Sequence, residues 1–420
     1  MKRRAATLIL LAAAALPAAA AGTDTGPIAV AAFNDSVNHW RSNRDTDYPR
    51  HDPADYRAIA DNLLLLQRAS GGWASNEDPL RVLDATAREQ LRAGQAEGGA
   101  SFDNRTTYTQ VDYLAEAFRR SGDPRYRDAA VRGLQFILAQ QIATCGGWPH
   151  TVPARSAYQA RITFADEVTS GALTTLRAVA DAPRFAFVEA PLRTRIAEAV
   201  QRGDDCLLRL QVRQAAGLSL WAGQYDPQTL APAGGRRFEL PALVTDESVS
   251  VVRYLMSIER PSPQVVAAIE GALRWFETHA LTGLRLETFQ AAPAQFDHHS
   301  TPVDRRLVAD PAAPPLWGRF HDLADNTVVL ADRQGNRLQD YTQVGRERRT
   351  GYHWYGTWPQ ALLQRDAPAW RQRMAAAGPA TTGAARAGPA VPANTGYHRS
   401  VSVACTPPGS ACPAALPGAR

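Results

Sequence analysis

The sequence predicts an all-α fold: an (α/α)3 toroid of helical hairpins, followed by a loop-rich C-terminal part and a disordered tail. Apolar residues recur at helical spacing in seven segments. Two short motifs repeat about every 70 residues, a period that accommodates two helices and a functional loop. Acidic residues stand where successive helices begin, so closure around an axis would bring them to one face. Together these observations favour about three helical pairs.

An export signal is the first element of the chain. Residues 1–21 begin with Lys2, Arg3 and Arg4, continue through an apolar run and end in alanine-rich sequence, which is the three-part pattern of a secretory signal peptide. The apolar run is too short to span a bilayer. We therefore expect a secreted or periplasmic protein whose folded domain covers residues 22–370.

The net charge argues against one class of partner. The chain has 46 Lys and Arg against 41 Asp and Glu, a formal charge of +5, but the signal segment contains three basic residues and no acidic residue. The mature chain is therefore nearly neutral, at +2. Because a nucleic-acid-binding domain carries clustered basic charge, we expect no nucleic acid partner. We also expect no membrane association after signal cleavage, and a monomer.

A helical pattern fills the middle of the chain. Pro and Gly signals, such as those at 121–124 and 260–263, separate its segments. The predicted helices cover residues 56–67, 108–118, 126–140, 168–179, 192–211, 249–258 and 265–276. Their alternation with short breaks predicts helical hairpins.

Two motifs define the repeat. The first is Ala-x-x-x-Gly inside a helix, where small residues let helices approach closely; it occurs at Ala129/Gly133, Ala199/Gly203 and Ala267/Gly271. The second is a glutamine near a helix end that is followed by Gly and Trp; it occurs at Gln67/Trp73, Gln140/Trp148 and Gln211/Trp221. Their similar spacing predicts equivalent structural units.

Acidic residues keep the same rhythm. They form the pairs Asp103-Asn104, Asp166-Glu167 and Asp246-Glu247, each at the beginning of a helix. A single acidic residue there is most often a helix cap. If the repeats close around an axis, however, the acids of successive loops would face one another and share a site.

The C-terminal part departs from this pattern. Residues 283–355 carry scattered Arg, His and aromatic residues, and long irregular stretches of this kind are usually functional or disordered. Residues 371–420 are rich in Ala, Pro, Gly and Thr, which predicts a flexible tail. Two cysteine arrangements are open: a small loop closed by Cys405 and Cys412, and either a disulfide or two buried thiols at Cys145 and Cys206.

The carboxylates allow two chemistries. Asp103 and Asp166 could be the acid and base of an inverting glycoside hydrolase. They could equally bind calcium, which takes several oxygen ligands and which Asn104 and Glu167 could help to coordinate. Two unrelated helix caps are the third possibility, but the parallel placement of the acids favours a shared site.

Arginines beside aromatic residues indicate an anionic polymer as ligand. They occur at 236–241, 317–320 and 348–356, and a further arginine follows an acid at 332–333. Guanidinium groups bind carboxylates through two hydrogen bonds, and aromatic faces stack on sugar rings. The acids could bind a metal cation and the arginines an anionic substrate. Together they suggest a negatively charged substrate that a metal ion links to the acids. The sequence has no Gly-rich phosphate loop, no Gly-x-Ser-x-Gly motif and no His-Glu-x-x-His motif.

Long motifs in consistent order make the sequence resemble the family 10 polysaccharide lyases, which are pectate lyases with an (α/α)3 toroid. The likeness extends over residues 55–363. It is carried by residues 67–73, 102–110, 146–149, 162–166, 236–241, 247–258, 317–320 and 348–356. The resemblance implies that residues 22–370 form a pectate lyase catalytic domain.

The resemblance also implies a reaction, the calcium-dependent β-elimination of polygalacturonate. By its analogy Arg236 removes the C5 proton, although a free guanidinium is normally protonated and needs burial or neighbouring positive charge to become neutral. Asp103 and Asp166 would hold the catalytic calcium ion, which gives Asp103 a catalytic role as well. Asn104 and Glu167 are further candidates for metal binding.

Substrate binding follows from the same resemblance and from the arginine-rich segments. The candidates are Arg319, Arg333, Tyr352 and Arg349. The family commonly has Gly where Arg105 stands, and a second Asp or Asn where Glu167 stands. Besides the glycoside hydrolase, a non-catalytic protein that binds acidic polysaccharide is the competing hypothesis.

Overall fold

Amphipathic helices form in the middle of the chain, as the apolar spacing predicts. The computed structural model describes residues 26–43, 47–297 and 299–377; the predicted signal peptide and the predicted Cys405–Cys412 loop lie outside them. The α-helices are α1 (Asn34–Asn43), α2 (Tyr56–Leu66), α3 (Ala85–Gly94), α4 (Tyr108–Ser121), α5 (Pro124–Ala139), α6 (Val168–Ala178), α7 (Ala190–Leu210), α8 (Thr245–Met256), α9 (Pro263–Thr278), α10 (Arg346–Gly351), α11 (Trp358–Ala361) and α12 (Ala367–Ala377). All seven predicted helical segments are therefore confirmed.

Local sequence signals account for several helix starts. Asp55 caps α2 by accepting a hydrogen bond from a backbone N–H of the first turn. Asp123 and Ser262 cap α5 and α9 in the same way, and each precedes a proline at the first helical position. Proline is favoured there because its fixed φ suits the helix and its missing N–H would have no partner.

Consecutive helices pack as pairs. The pairs are α4 with α5, α6 with α7, and α8 with α9, while α2, α4, α6 and α8 contact one another in succession. The small residues of the repeat make this packing possible. A Cβ atom on Gly133 would lie 2.3 Å from Val111 of α4, and one on Gly203 would lie 2.3 Å from Leu173 of α6. The expectation of close helix approach is confirmed at both positions.

Strands overturn the all-α prediction, which is wrong. The strands are β1 (Ala100–Ser101), β2 (Thr151–Val152), β3 (Ile162–Thr163), β4 (Arg213–Gln214), β5 (Gly217–Leu218), β6 (Gln224–Tyr225), β7 (Pro232–Ala233), β8 (Leu243–Val244), β9 (Leu284–Gln295), β10 (Ser300–Ala309), β11 (Trp317–Gly318), β12 (Phe320–His321), β13 (Leu330–Ala331), β14 (Arg337–Leu338) and β15 (Tyr355–Gly356). Most are two-residue pairings in the loops. The fold is thus mixed, with helical pairs and a strand-containing C-terminal part.

The longest strands, β9 and β10, form an antiparallel hairpin inside the region that was expected to be irregular. Leu284 pairs with Ala309 at its base, and the register shifts once, between Thr301 and Val303. Sequence periodicity misses the hairpin because its residues are mostly half-buried or exposed, so apolar residues do not alternate regularly along it. Leu286 and Leu307, near its base, pack against buried apolar residues of the C-terminal part. Polar contacts add to this further along the hairpin, where Arg349 of α10 binds Asp304 of β10 at 2.9 and 2.7 Å.

A disulfide joins neighbouring repeats. Cys145, in the turn after α5, is bonded to Cys206 of α7, so the disulfide alternative is the correct one. The compact unit ends at Ala376, and α12 crosses the predicted domain boundary at residue 370. Within the described residues no helix has both the length and the apolar character needed to span a membrane.

Candidate active site

The loops that precede α4, α6 and α8 open into one cavity of about 570 Å³. The segment that follows β7 and the residues that follow α10 complete its wall. Its charged and polar lining includes Asp35, Asn76, Asp103, Asn104, Arg105, His150, Asp166, Glu167, Arg236, Glu239, Asp246, Glu247, Arg319 and Tyr352. The structure thus brings acids and arginines from distant parts of the chain to one place.

Two short 3-10 turns, Asp103–Arg105 and Ala165–Glu167, present acids to the cavity. Each turn has two consecutive residues in the left-handed region: Asn104 (φ 50°), Arg105 (φ 60°), Asp166 (φ 52°) and Glu167 (φ 59°). Residues other than glycine adopt this conformation at a cost, and such residues cluster at functional sites. The strained backbone turns these side chains toward the cavity.

Hydroxyl side chains anchor these turns and reveal the true register of the repeat. The backbone N–H of Trp73 donates to Thr107 (3.2 Å), that of Trp148 to Thr169 (3.3 Å) and that of Trp221 to Ser248 (3.2 Å).

The glutamines show a second equivalence between the repeats. Three of them, Gln67, Gln141 and Gln211, each donate to two backbone carbonyls, one in their own turn and one in the next outer helix. Gln141 therefore takes the position that the sequence assigned to Gln140.

This register corrects the predicted alignment of the acids. Counting back from the anchoring hydroxyls, Asn104 is equivalent to Asp166, and Arg105 is equivalent to Glu167. Asp103 consequently corresponds to Ala165 and not to an acid. The acids that meet in the cavity therefore come from non-equivalent positions of the repeat.

Asp103, His150 and Asp166 form the most concentrated group in the cavity. One ligand atom from each lies within 4.8 Å of the other two, and His150 Nε2 is 3.3 Å from Asp103 Oδ1. Burial acts to raise the pKa of Asp103, but the hydrogen bond and charge of His150 outweigh it and lower this pKa. Burial and then the Asp103 charge raise the pKa of Asp166 to about 8. Two adjacent carboxylates resist simultaneous ionisation, which explains the opposite shifts.

A divalent cation fits this group. Bringing two buried carboxylates together is unfavourable, and a cation between them would relieve the repulsion that raises the pKa of Asp166. The donors are two carboxylates and an imidazole nitrogen, all of which bind metals. The prediction that Asp103 and Asp166 share a metal site is compatible with this geometry.

Arg236 lies across the cavity in a pair with Glu239. Its guanidinium donates through Nε (3.0 Å) and Nη2 (2.5 Å), and its backbone N–H donates to the same carboxylate (2.8 Å). Tyr352 donates its hydroxyl to Glu239 at 2.8 Å. Burial acts to lower the pKa of Arg236, but Glu239 outweighs it and raises this pKa. In return, Arg236 outweighs the effect of burial on Glu239 and lowers its pKa to about 2.

Arg319 is the second cavity arginine, and it is buried. Its guanidinium pairs with Glu247, and its carbon lies 4.9 Å from the centroid of the Tyr352 ring. Within the described residues, Arg319 Nε and Glu247 Oε2 have no hydrogen-bond partner. Both atoms are shielded from solvent, so a ligand would reach them only if the pair rearranged.

The two weaker metal candidates already have partners. Asn104 donates its amide to Asn76 Oδ1 at 2.7 Å. Glu167 Oε1 accepts hydrogen bonds from Arg105 Nη2 at 2.7 Å and from Ser250 Oγ at 2.8 Å. The two departures from the family pattern, Arg105 and Glu167, are therefore bonded to each other.

Two substrate-binding candidates lie away from the cavity lining. Arg333 is paired with Glu347, at 2.5 Å, and Arg349 is paired with Asp304 of the hairpin. Arg319 and Tyr352 are the candidates that the structure places beside Arg236.

Sequence reasoning missed two residues of the cavity, His150 and Glu239. Both stand inside or beside recognised motifs, since His150 follows Gly146-Gly147-Trp148-Pro149 and Glu239 lies within residues 236–241. The sequence does contain a signal for Glu239, because an acid three residues after Arg236 can form an ion pair with it. No spacing rule links His150 to Asp103, because the two meet only through the pairing of β1 with β2.

Comparison with known proteins agrees with this site. The family model described as pectic acid lyase matches residues 67–363. Among solved structures, the family 10 polysaccharide lyase from Cellvibrio cellulosa is 29% identical, with a TM-score of 0.64 over 82% of this chain and 99% of that chain. A mutant of a family 10 polysaccharide lyase from the same organism, in complex with trigalacturonic acid, is 28% identical, with a TM-score of 0.64 over 80% and 97% of the two chains. Comparison with curated proteins gave no match.

The family match covers more than half of the chain. It includes the paired acids Asp103 and Asp166 as well as the cavity arginines Arg236 and Arg319. The sequence motifs, the cavity and the structural likeness agree, and the chain belongs to the pectic acid lyase family.

Proposed function

We propose that this pectate lyase cleaves polygalacturonate, a 1,4-linked galacturonan, by calcium-assisted β-elimination that yields 4,5-unsaturated oligogalacturonides. The observation that carries the proposal is one cavity in which the Asp103 and Asp166 carboxylates face two arginines, Arg236 and Arg319. The trigalacturonic acid complex of the Cellvibrio cellulosa lyase supports the substrate class.

Each group in the cavity has a role in this proposal. Asp103 and Asp166 hold the calcium ion, which when bound supplies positive charge beside the uronate carboxylate and makes the C5 proton more acidic. Arg319, whose side chain lines the cavity beside Tyr352, would bind a substrate carboxylate. Tyr352 packs between the two arginines, 5.5 Å from Arg236 and 4.9 Å from Arg319 measured from ring centroid to guanidinium carbon, and keeps them apart.

Arg236 is the proposed base. It takes the C5 proton, the C–H electron pair forms the C4–C5 double bond, and the C4–O bond breaks with its electron pair on the leaving oxygen, which takes a proton from water. Glu239 raises the pKa of Arg236 and so keeps the guanidinium protonated. Arg236 must therefore lose a proton before it can act as a base. Glu239, hydrogen-bonded to two of its nitrogens, orients the guanidine but is too weak a base, with a pKa of about 2, to take that proton, which therefore goes to solvent.

The separation of the carboxylates disfavours the glycoside hydrolase. Inverting hydrolases keep their two carboxyl groups about 6.5–9.5 Å apart, and retaining enzymes keep them about 5–5.5 Å apart. In this cavity the ligand oxygens of Asp103 and Asp166 lie within 4.8 Å, too close to place a sugar and a water between them. The pair is suited to a shared cation.

An ultraviolet assay tests the function. Purified protein with polygalacturonate and calcium should produce the absorbance of the new double bond, and a chelator should abolish it. Arg236→Ala should lower turnover by about 10²–10⁴-fold, whereas Arg371→Ala, which removes a surface arginine paired with Glu270, should not change it. Saturated reducing ends without absorbance would establish hydrolysis, and binding without any product would establish a non-catalytic protein.

We also propose export and a monomeric state. The signal sequence at residues 1–21 supports secretion or a periplasmic location. N-terminal sequencing of protein from a secreting host should find residue 22 or a close neighbour first, and light scattering should give the mass of one chain. An uncleaved N-terminus or a stable dimer would contradict these proposals.

A further inference from the structure

His150 gives the proposed cation site a nitrogen atom. Calcium is a hard cation that takes oxygen ligands, whereas imidazole nitrogen is a good ligand for Co²⁺, Ni²⁺ and Zn²⁺ and is also accepted by Mn²⁺ beside carboxylates. His150 Nε2 is 3.3 Å from Asp103 Oδ1, and a carboxylate oxygen of Asp166 completes the group within 4.8 Å. Two ligands about 2.1–2.4 Å from one ion and at right angles to each other are about 3.0–3.4 Å apart, so the first distance suits a shared ion.

The imidazole is oriented by a chain of hydrogen bonds on its other side. His150 Nδ1 lies 2.8 Å from Thr151 Oγ1, which lies 3.1 Å from Ser101 Oγ. The Ser101 hydroxyl donates to the His150 carbonyl at 3.0 Å, so its proton is already used. Thr151 then donates to Ser101 and accepts from Nδ1–H. Thr151 therefore holds Nδ1–H, as in the outer shells of metal-bound histidines, and Nε2 faces Asp103. In the metal-free cavity Nε2–H donates to Asp103, and a bound cation would take the place of that proton.

The backbone holds the same residues in register. Phe102 N–H donates to the His150 carbonyl at 3.0 Å, directly before Asp103. The pairing of Ala100 with Val152 and of Ser101 with Thr151 extends this contact. The turn that carries Asp103 and the segment that carries His150 therefore form one rigid unit, which favours a built ligand set over a chance contact.

We propose that His150 Nε2 is a direct metal ligand, and that the site is selective for divalent cations that accept nitrogen, such as Mn²⁺ and Co²⁺, over Ca²⁺. The proposal rests on the cation site of the proposed function. Calcium would bind through the two carboxylates alone, so its affinity would depend little on the imidazole.

Metal binding, measured without substrate, tests this proposal. Mn²⁺, Co²⁺ and Ca²⁺ are titrated separately into the metal-free protein. The wild-type protein should bind Mn²⁺ or Co²⁺ at least about tenfold more tightly than Ca²⁺. His150→Gln should weaken Mn²⁺ and Co²⁺ binding by about 10–100-fold and change Ca²⁺ binding by less than about threefold. His39→Gln, which alters another histidine of the same cavity, is the matched control and should change neither.

A spectroscopic readout on the wild-type protein needs no variant. Electron paramagnetic resonance of bound Mn²⁺ should show coupling to one imidazole nitrogen. Absence of that coupling, or an equal loss of Ca²⁺ and Mn²⁺ affinity in His150→Gln, would overturn the proposal and leave His150 as a residue that only orients Asp103. Failure to bind any metal would instead contradict the cation site of the proposed function.

Discussion

The charge state of Arg236 governs the proposed reaction at the scale of single residues. The sequence suggests that burial or neighbouring positive charge could make this guanidine neutral. The structure shows a neighbour of opposite sign, Glu239, whose carboxylate binds two guanidinium nitrogens and the backbone N–H of Arg236. In the ligand-free cavity the protonated form is therefore favoured, and the base is a minor species.

A pH profile should report this state. Only the neutral guanidine accepts a proton, and the pKa of Arg236 is raised, so its neutral fraction grows about tenfold per pH unit throughout the neutral and alkaline range. With calcium saturating, kcat/KM should rise with that slope between about pH 7 and 10. Arg236→Ala should lower kcat by about 10²–10⁴ and leave a residual rate without this slope. A flat wild-type profile would rule out Arg236 as the base.

Arg105 and Glu167 form another pair with a testable effect. Arg105 also contacts Asp35 of α1, at 3.2 Å, so this arginine is held between two acids. Because Glu167 is occupied by Arg105, we do not expect it to coordinate calcium. Glu167→Gln should therefore change calcium affinity less than about twofold, whereas Asp166→Asn should weaken it by more than about tenfold.

The converse change completes the test. Arg105→Ala releases the Glu167 carboxylate beside the cation site and should tighten calcium binding, because a further negative oxygen becomes available. Isothermal titration of the three variants measures both effects. A large loss of calcium affinity in Glu167→Gln would restore Glu167 as a ligand.

At the scale of elements, the helices could be predicted and their loop register could not. Apolar periodicity identifies α4 to α9 because one face of each helix is buried. The loops carry no such period. Their alignment depends on which hydroxyl accepts the hydrogen bond from the tryptophan backbone N–H. The sequence has threonines at 106, 107 and 109, and it does not distinguish the one that makes this bond. The β9–β10 hairpin was not predicted for a related reason: only Leu286 and Leu307 pack on the core, and polar contacts with α10 hold the part beyond them.

The hydroxyl anchors should contribute strongly to stability. Thr169 Oγ1 is buried, donates to the Thr163 carbonyl at 2.7 Å and accepts from Trp148 N–H at 3.3 Å. Thr169→Val keeps the shape but leaves both backbone groups without a partner, which should lower the free energy of unfolding by about 3 kcal/mol. Because Asp166 lies in the same turn, calcium affinity should fall as well.

A second threonine on the same helix provides the control. Thr174 is exposed and donates only to the Ser170 carbonyl within α6. Thr174→Val should change the free energy of unfolding by less than about 0.5 kcal/mol in denaturant titrations. Equal destabilisation by both substitutions would contradict an anchoring role for Thr169.

At the scale of the whole molecule, the charges inside the cavity matter more for ligand recognition than the net charge of the chain. Without residues 1–21 the chain is nearly neutral, yet the cavity gathers unbalanced charge: the pKa of Asp166 is raised to about 8, and burial followed by Glu247 raises that of Asp246 to about 7. The sequence could indicate which residue types meet, because the repeat orders the loops. It could not indicate which acids are neutralised by arginine, because the pairs join residues 62 to 72 positions apart.

This unbalanced charge should make folding stability depend on the cation. The folded pKa of Asp166 lies above its ordinary value of 3.8, so its contribution to stability is full below about pH 4 and is lost as the pH rises through about 8. The contribution of Asp166 to the free energy of unfolding of the metal-free protein should therefore be smaller near pH 8 than at pH 5. Calcium at about 100 times its Kd should restore about 2.7 kcal/mol, since it binds only the folded state.

Asp166→Asn should separate the two effects. The amide removes the buried carboxylate that opposes Asp103, so the Tm of the metal-free variant at pH 8 should exceed that of the wild-type protein, and calcium should no longer raise it. Asp103→Asn is the control, because the pKa of Asp103 is lowered by its pair with His150 and its loss should not stabilise the protein. Thermal unfolding of the three proteins, each with chelator and with calcium, measures all six Tm values. A metal-free Asp166→Asn protein with a lower Tm than the wild-type protein would contradict this prediction. It would show that the Asp166 carboxylate stabilises the folded protein.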